Sequence, residues 1–499
     1  MPIDTIETIN VMLRKLVYGR ADGMPNSLES IVHAQLDTAL FLLDSQPPLG
    51  EVRAWDRDHC ETALLAAAAS LESLEYLSSK WEYPHHSRHG WARDCVARGE
   101  ELMNLLLDRG ASARDVIAPI QHDGGDNATS NGLPPQPLGT VLGRAVSRAS
   151  YKLVSRLLDE GADVHARQQF ICNVGGAGFG GCELFAFDVT ALHLGSFYWN
   201  AEGIRALLDY RRSSSNVHDL ERENEQNSTD LLTCRDSSGR LPLHWASAGP
   251  GPHDEYLLPE DTIVPHIVST FQLLVAGNPR TINHLDHQGA TPLYYAVGSH
   301  AACGSIHSDL AIRFLCAHGA DARLPDIHGR TVLHVLALRS IDGEPIPLAL
   351  LDLLVEHGAD VTHADKDGNT ALYLMARHLR QVEAARHLVR LGADVSARNA
   401  QGNTPLHGAM AGEIRSRQNH KGETEDVTLA DKIRAHDGMM VAILEGEAGG
   451  GGSSGLMELQ NLVGKTPRQL RDETLTRWRR QEESRRRPPA RRGRGRGRG

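Results

Sequence analysis

The side chains best able to do chemistry in this 499-residue chain are its 26 histidines, its seven cysteines and a terminal run of arginines. His193, His244, His334 and His407 occupy one equivalent position in a recurring block. Zinc needs ligand nitrogens at about 2.0–2.1 Å, whereas stacked helices lie about 8–10 Å apart, so the four cannot share an ion. They are expected to hydrogen-bond around helix starts and turns instead. His85, His86 and His89, with Cys95 nearby, could chelate, but their spacing is loose and a solvated insertion is the preferred reading. No metal site and no cofactor are predicted.

Two catalytic patterns fail on context. Gly176, Gly178 and Gly181 satisfy GxGxxG, yet no clear strand precedes them and no helix opens at the third glycine, as a dinucleotide fold would require. Gly451, Ser453 and Gly455 satisfy GxSxG, but a nucleophile elbow needs a strand before it and a helix after it, and here the flanks are more glycine. Cys60, Cys95, Cys172, Cys182, Cys234, Cys303 and Cys316 are scattered singly, without the paired spacing of a disulfide framework or zinc ribbon. They are expected to be reduced and mostly buried. No catalytic residue is assigned, and the chain is read as a non-enzyme.

The elements that position these residues come from an internal repeat. One block reads Gly, any residue, Thr, Pro or Ala, Leu, His or Tyr, and it stands at Gly289–Tyr294, Gly368–Tyr373 and Gly402–His407. Variants follow at Gly239–His244 and Gly329–His334, with looser copies from Thr62, Thr140 and Thr190 and a last one at Gly464–Pro467. Thr before Pro starts a helix, because its hydroxyl can accept a free amide of the first turn while Pro at the first helical position loses no hydrogen bond. A second block is an aliphatic run closed by Gly-Ala-Asp, at Leu157–Asp163, Leu315–Asp321, Leu353–Asp360 and Leu388–Asp394. Its leucines form a second helix, and its glycine ends that helix in the left-handed conformation. Asp286, Asp326, Asp365 and Asn399, each three residues before a glycine, mark turns. The unit is helix, short loop, helix, projecting hairpin turn.

Two linked blocks in this order resemble the ankyrin repeat, a unit of about 33 residues. The resemblance covers roughly Cys60 to Glu473 and departs from regular spacing through insertions. It implies an all-α ankyrin-repeat solenoid, one helix-loop-helix with a hairpin turn per repeat, followed by a disordered C-terminal tail. It also implies binding of one or more proteins along a concave face, with no small-molecule substrate. The contact candidates are the side chains at the hairpin tips, taken to be free of packing duties: His287 and Gln288, Ile327 and His328, Lys366 and Asp367, Ala400 and Gln401. Leu293, Leu333, Leu372 and Leu406 are expected to fill the space between neighbouring repeats.

The expected organisation is a helical N-terminal cap over 1–59, a repeat array with insertions over 60–411, a degenerate final repeat with a Gly-rich loop over 412–476, and a basic tail over 477–499. Ser27 followed by Leu28, Ile31, Val32, Leu36, Leu40 and Leu43 gives the cap an amphipathic helix, a recruiting module such as an F-box being the rival reading. Insertions at 249–265, around 302–306 and at 342–345 fall between the two helices of a repeat, whereas 168–188 and 211–232 fall in the hairpin region. The longest apolar run, Ala63–Ala69, is far short of a membrane span, so a soluble protein, cytoplasmic or nuclear or both, is expected.

Charge is divided unevenly. Residues 477–499 hold eleven of the 52 basic and two of the 63 acidic side chains, which leaves 41 against 61 in the rest. An acidic body with a basic tail attracts different partners at each. Arg485, Arg486, Arg487, Arg491 and Arg492 form a cluster of the kind read by nuclear import receptors, and Arg494, Arg496 and Arg498 alternate with glycine as in nucleic-acid-binding tails. A passive solubilising tail is the third reading.

Overall fold

A computed structural model describes residues 63–72, 85–117, 136–172, 184–214, 230–249, 260–301, 309–340, 345–414, 417–418, 424–425, 427–448 and 455–486. The expected N-terminal cap over 1–59 and the two glycine-rich motif loops, 173–183 and 449–454, lie outside them. The chain divides into two compact units, Met1–His300 with Ser305–Ala320, and Ala301–Gly304 with Asp321–Gly499.

In the first unit the described helices are α1 (Ala63–Glu72), α2 (His85–Asp108), α3 (Val141–Ala145), α4 (Tyr151–Asp159), α5 (Ala191–Phe197), α6 (Ala201–Ser214), α7 (Pro242–Ala248), α8 (Glu260–Gly277), α9 (Pro292–His300) and α10 (Leu310–Ala317). In the second they are α11 (Val332–Arg339), α12 (Leu348–Glu356), α13 (Ala371–Ala376), α14 (Val382–Arg390), α15 (Pro405–Met410), α16 (Leu429–Ala448) and α17 (Pro467–Arg486). The first helices of successive repeats stack on one another: α1, α3, α5, α7 and α9 in the first unit, and α11, α13, α15 and α17 in the second. The following helices stack in their own row, α4, α6, α8 and α10 in the first unit and α12, α14 and α16 in the second. Each unit is an all-α solenoid whose apolar seams close only through neighbouring repeats. Leu293, Leu333, Leu372 and Leu406 are fully buried in those seams, as the repeat pattern requires.

The caps follow the sequence logic. Thr140, Thr291, Thr370 and Thr404 each accept the amide three residues on, at 2.9–3.4 Å. Gly161, Gly319, Gly358 and Gly392 end their helices at φ of +93° to +99°, a conformation that L side chains rarely adopt. Buried amides join successive repeats: Asn200 Nδ2 donates to the carbonyls of Val146 and Ala149, both at 2.8 Å. In the second unit Gln381 Oε1 accepts the Ile346 amide at 2.9 Å, and its Nε2 donates to Ser340 O at 3.2 Å.

Several expectations change. The described ends of the insertion at 168–188 are strands: β1 (Gln168–Cys172) and β2 (Leu184–Val189) pair antiparallel, Phe170 opposite Ala186 and Cys172 opposite Leu184. A strand therefore does precede Gly176, but it returns as a strand and no helix opens after the glycines, so the dinucleotide reading still fails. Phe170 packs edge-on to Trp245 and Phe197, with ring centroids 5.3 and 5.9 Å apart, which anchors the hairpin base in the core. His85, His86 and His89 lie on α2 rather than in a loop. Pro265 lies inside α8, carried by the buried face of Ile263, Ile267, Phe271 and Leu274 at helical spacing. Residues 477–486, expected in the disordered tail, belong to α17, because Thr474 and Trp478 are buried and the Trp478 ring sits edge-on to His436 of α16 at 5.5 Å.

Candidate protein-binding surface

The hairpin tips are built by one device used six times among the described residues. Asp286 Oδ1 accepts the amides of Gln288 and Ala290, both at 2.8 Å. Asp326 does the same for His328 and Arg330, and Asp365 for Asp367 and Asn369, at 2.8–3.0 Å. Asn399 takes Gln401 and Asn403 with its amide oxygen, at 3.0 and 2.9 Å. Asp236 and Asn461 close equivalent turns around Ser238 and Arg240, and around Val463 and Lys465. Each turn places a glycine at positive φ, and at Gly368 a Cβ would also come within 3.0 Å of Asn399 Cα on the next tip. Glycine there serves both the turn and the close approach.

That close approach lets the main chain link tip to tip. In the first unit Ser237 N–H donates to Phe187 O and His287 N–H to Ser238 O, both at 3.0 Å. In the second, Lys366 N–H donates to His328 O at 2.9 Å, Ala400 N–H to Asp367 O at 2.8 Å, and Leu462 N–H to Gln401 O at 3.0 Å. Side-chain amides add a second strand of bonds, Asn399 Nδ2 to Asn369 Oδ1 at 2.9 Å and Asn461 Nδ2 to Asn403 Oδ1 at 2.8 Å.

His287, Gln288, Ile327, His328, Lys366, Asp367, Ala400 and Gln401 are all exposed at these tips. One correction applies to the expectation that they carry no packing: the His287 imidazole covers Gly239 of the preceding tip, where a Cβ would meet its ring carbon at 2.5 Å. Sequence reasoning missed the last tip, where Leu462 and Val463 are 79% and 78% exposed, the most open large apolar side chains among the described residues. Asn461 three residues before Gly464 was the available signal.

Beneath the tips, the recurrent histidines are structural. His193 Nδ1 takes the Thr190 amide at 3.2 Å and the Thr190 hydroxyl at 2.8 Å, while its Nε2 reaches Arg240 O in the next repeat at 3.2 Å. A carbonyl can only accept, so Nε2 carries the proton and Nδ1 is the bare acceptor. His334 with Thr331 and Asn369 O, and His407 with Thr404 and Lys465 O, repeat the arrangement. His244 ties the Leu241 amide to the carbonyls of His284 and Ala290. Both ring nitrogens serve the fold only in the neutral form. Burial holds His193 down at about 4 and His244 at about 3, and it lowers His334 and His407 as well. No group of three or more His, Cys, Asp or Glu among the described residues could hold a metal ion. Cys234 and Cys316 are buried.

Residues 367–400, from the tip at Asp367 to the next at Ala400, match the family model described as Ankyrin repeat. The chain contains an ankyrin repeat. Among solved structures, this ankyrin-repeat chain is similar to the crystal structure of the ankyrin repeat domain of Bcl-3, a unique member of the IkappaB protein family. The likeness has 22% identity and a TM-score of 0.34, and covers 53% of this chain and 91% of that one. No curated protein matches.

The arginine candidates divide at the end of α17. Arg485 and Arg486 form its last residues, and Arg487, Arg491, Arg492, Arg494, Arg496 and Arg498 lie outside the described residues. Just before them Arg477, Arg479 and Arg480 are exposed along the helix. No helix among the described residues is long and apolar enough to cross a membrane.

Proposed function

We propose that this ankyrin-repeat protein is a non-enzymatic adaptor or scaffold that holds a protein partner on its hairpin tips. The ankyrin repeat is a protein-interaction fold, and the observation that supports this use here is the tip row itself. Within each unit its main chain is fixed by tip-to-tip hydrogen bonds while its side chains stand in solvent. Such a row is rigid before binding, so little ordering opposes association. Tailoring then falls to the pairs His287–Gln288, Ile327–His328, Lys366–Asp367 and Ala400–Gln401. The test is crosslinking mass spectrometry on cells expressing the full chain or a chain with all eight tip residues changed to Ser. Crosslinks that map to the tips and vanish in the variant, at unchanged melting temperature, support the assignment. Crosslinks confined to other surfaces remove it.

A second reading has its own support. Exposed Arg477, Arg479 and Arg480 add positive charge just ahead of the arginine-rich C-terminal residues, as expected of a nuclear coregulator whose tail contacts nucleic acid. Deleting Arg485–Gly499 would then abolish nuclear retention and a salt-sensitive affinity for nucleic acid. Unchanged localisation and affinity would leave the cytoplasmic adaptor standing alone.

A further inference from the structure

The tip row of the second unit has a chemical pattern that narrows its partner. In ladder order the pairs are Ile327–His328, Lys366–Asp367, Ala400–Gln401 and Leu462–Val463. Apolar side chains stand at the two ends, Ile327 at 44% exposure and Leu462 with Val463 at 79% and 78%, and a cation, an anion and an amide lie between. The main-chain groups that an extended peptide would need for strand pairing are already taken between the tips: the amides of Lys366, Ala400 and Leu462, and the carbonyls of His328, Asp367 and Gln401. An extended partner laid on the row would leave its own inward-facing amides and carbonyls without protein partners. Each such group, once desolvated, costs about 1–3 kcal/mol. A helix satisfies its backbone internally and presents side chains only.

The spacing agrees with that choice. Three steps between tips, each near the 8–10 Å of stacked helices, separate the two apolar ends by roughly 27 Å. A helix rises about 1.5 Å per residue, so three steps of about 8–10 Å correspond to about 16–20 residues, and the length within that range that returns to the same face is about 18, five whole turns of 3.6 residues. Two apolar residues 18 apart therefore fall on one face of one helix and can reach both ends of the row together.

Resting on the reading of the tips as the binding surface, we propose that the second unit docks a single amphipathic helix of about five turns or more along its tips. The partner helix carries apolar anchors about 18 residues apart. One seats on Leu462 and Val463 and the other on Ile327. Between them it places an acidic side chain near Lys366 and a basic one near Asp367.

The experiment uses the full chain and two displayed peptide libraries, one of 24-residue helix-forming sequences and one of 12-residue extended, proline-containing sequences. Helical binders are expected to emerge that gain helical circular dichroism on binding. They should lose at least tenfold in affinity against Leu462→Ser/Val463→Ser and against Ile327→Ser, and again when the anchor spacing is cut from 18 to 16 residues. The substituted side chains are exposed, so unchanged melting would confirm that the fold is kept. Binders that come only from the extended library but still need the tips would overturn the helix while leaving the tip row as a binding surface. Binders indifferent to both ends, or none from either library, overturn the inference outright.

Discussion

The same turn is supported by charge in one region and by neutral amides in another. In the first unit the Asp236 carboxylate is buried, and its Oδ2 takes Arg240 Nε at 2.6 Å and Trp245 Nε1 at 3.0 Å. The Arg240 guanidinium lies 5.2 Å over the Trp245 ring. In the second unit Asn399 and Asn461 close equivalent turns without a formal charge and use their free amides to reach the neighbouring tip. A buried ion pair that has lost one member is far costlier than an amide hydrogen bond that has lost its partner. The local backbone device is thus indifferent to how it is supported, but its response to mutation is not.

The largest effect should come from Arg240→Met. It leaves the Asp236 carboxylate buried without its cation, for an expected loss of about 3–5 kcal/mol. Hydrogen exchange should show protection falling across α7 and its stacked neighbours α5 and α9. A loss below about 1 kcal/mol would erase the contrast between the two turns. Next, Leu372→Ala removes a fully buried side chain from the seam of α11, α13 and α15 and should cost about 2–5 kcal/mol in the second unit. Unchanged melting would contradict its place in that seam.

Acid sharpens the comparison further. His193, His244 and His300 are buried in the first unit, with burial holding them at about 4, 3 and 4. Because the folded values lie below the unfolded one of about 6.5, the unfolded chain binds the extra protons. The stability that these histidines contribute is therefore complete above about pH 6.5 and drains away as pH falls towards 4. Denaturant melts at pH 7, 6, 5 and 4 should show the decline, and His300→Phe should make it shallower. A flat profile would mean that the histidine contacts are dispensable. The smallest effect is expected from Lys366→Ala and Gln401→Ala, whose exposed side chains should change stability by no more than about 0.5 kcal/mol.

Much of this fold is legible because four repeats announce themselves twice, through the helix-start block at Thr140, Thr291, Thr331 and Thr370 and the Gly-Ala-Asp helix end that follows each. The physical demands are local there: a cap, a left-handed glycine, a turn-closing carboxylate. Features that depend on a distant partner leave no such trace. Asn200 and Gln381 read as ordinary polar residues until the carbonyls they bridge are brought beside them by stacking. The hairpin of β1 and β2 is hidden by its glycine-rich connection, although Phe170 needs only Phe197 and Trp245 nearby to be drawn inward. Leu462 and Val463 escape notice because the final repeat follows a glycine run that makes it look degenerate, yet Asn461 closes its turn as Asn399 does. Turn spacing alone marks the tips as exposed, but it gives no hint that their main chains are joined.

Because main-chain atoms make those joints, the identity of the outward side chains is almost decoupled from the scaffold. Apart from His287, which covers Gly239, any tip side chain could be rewritten, or a phosphate or other small group added beside it, without disturbing the distance to its neighbours. If the tips hold a partner as proposed, a lineage carrying this row could revise which partner it recognises one repeat at a time, at nearly constant thermal tolerance.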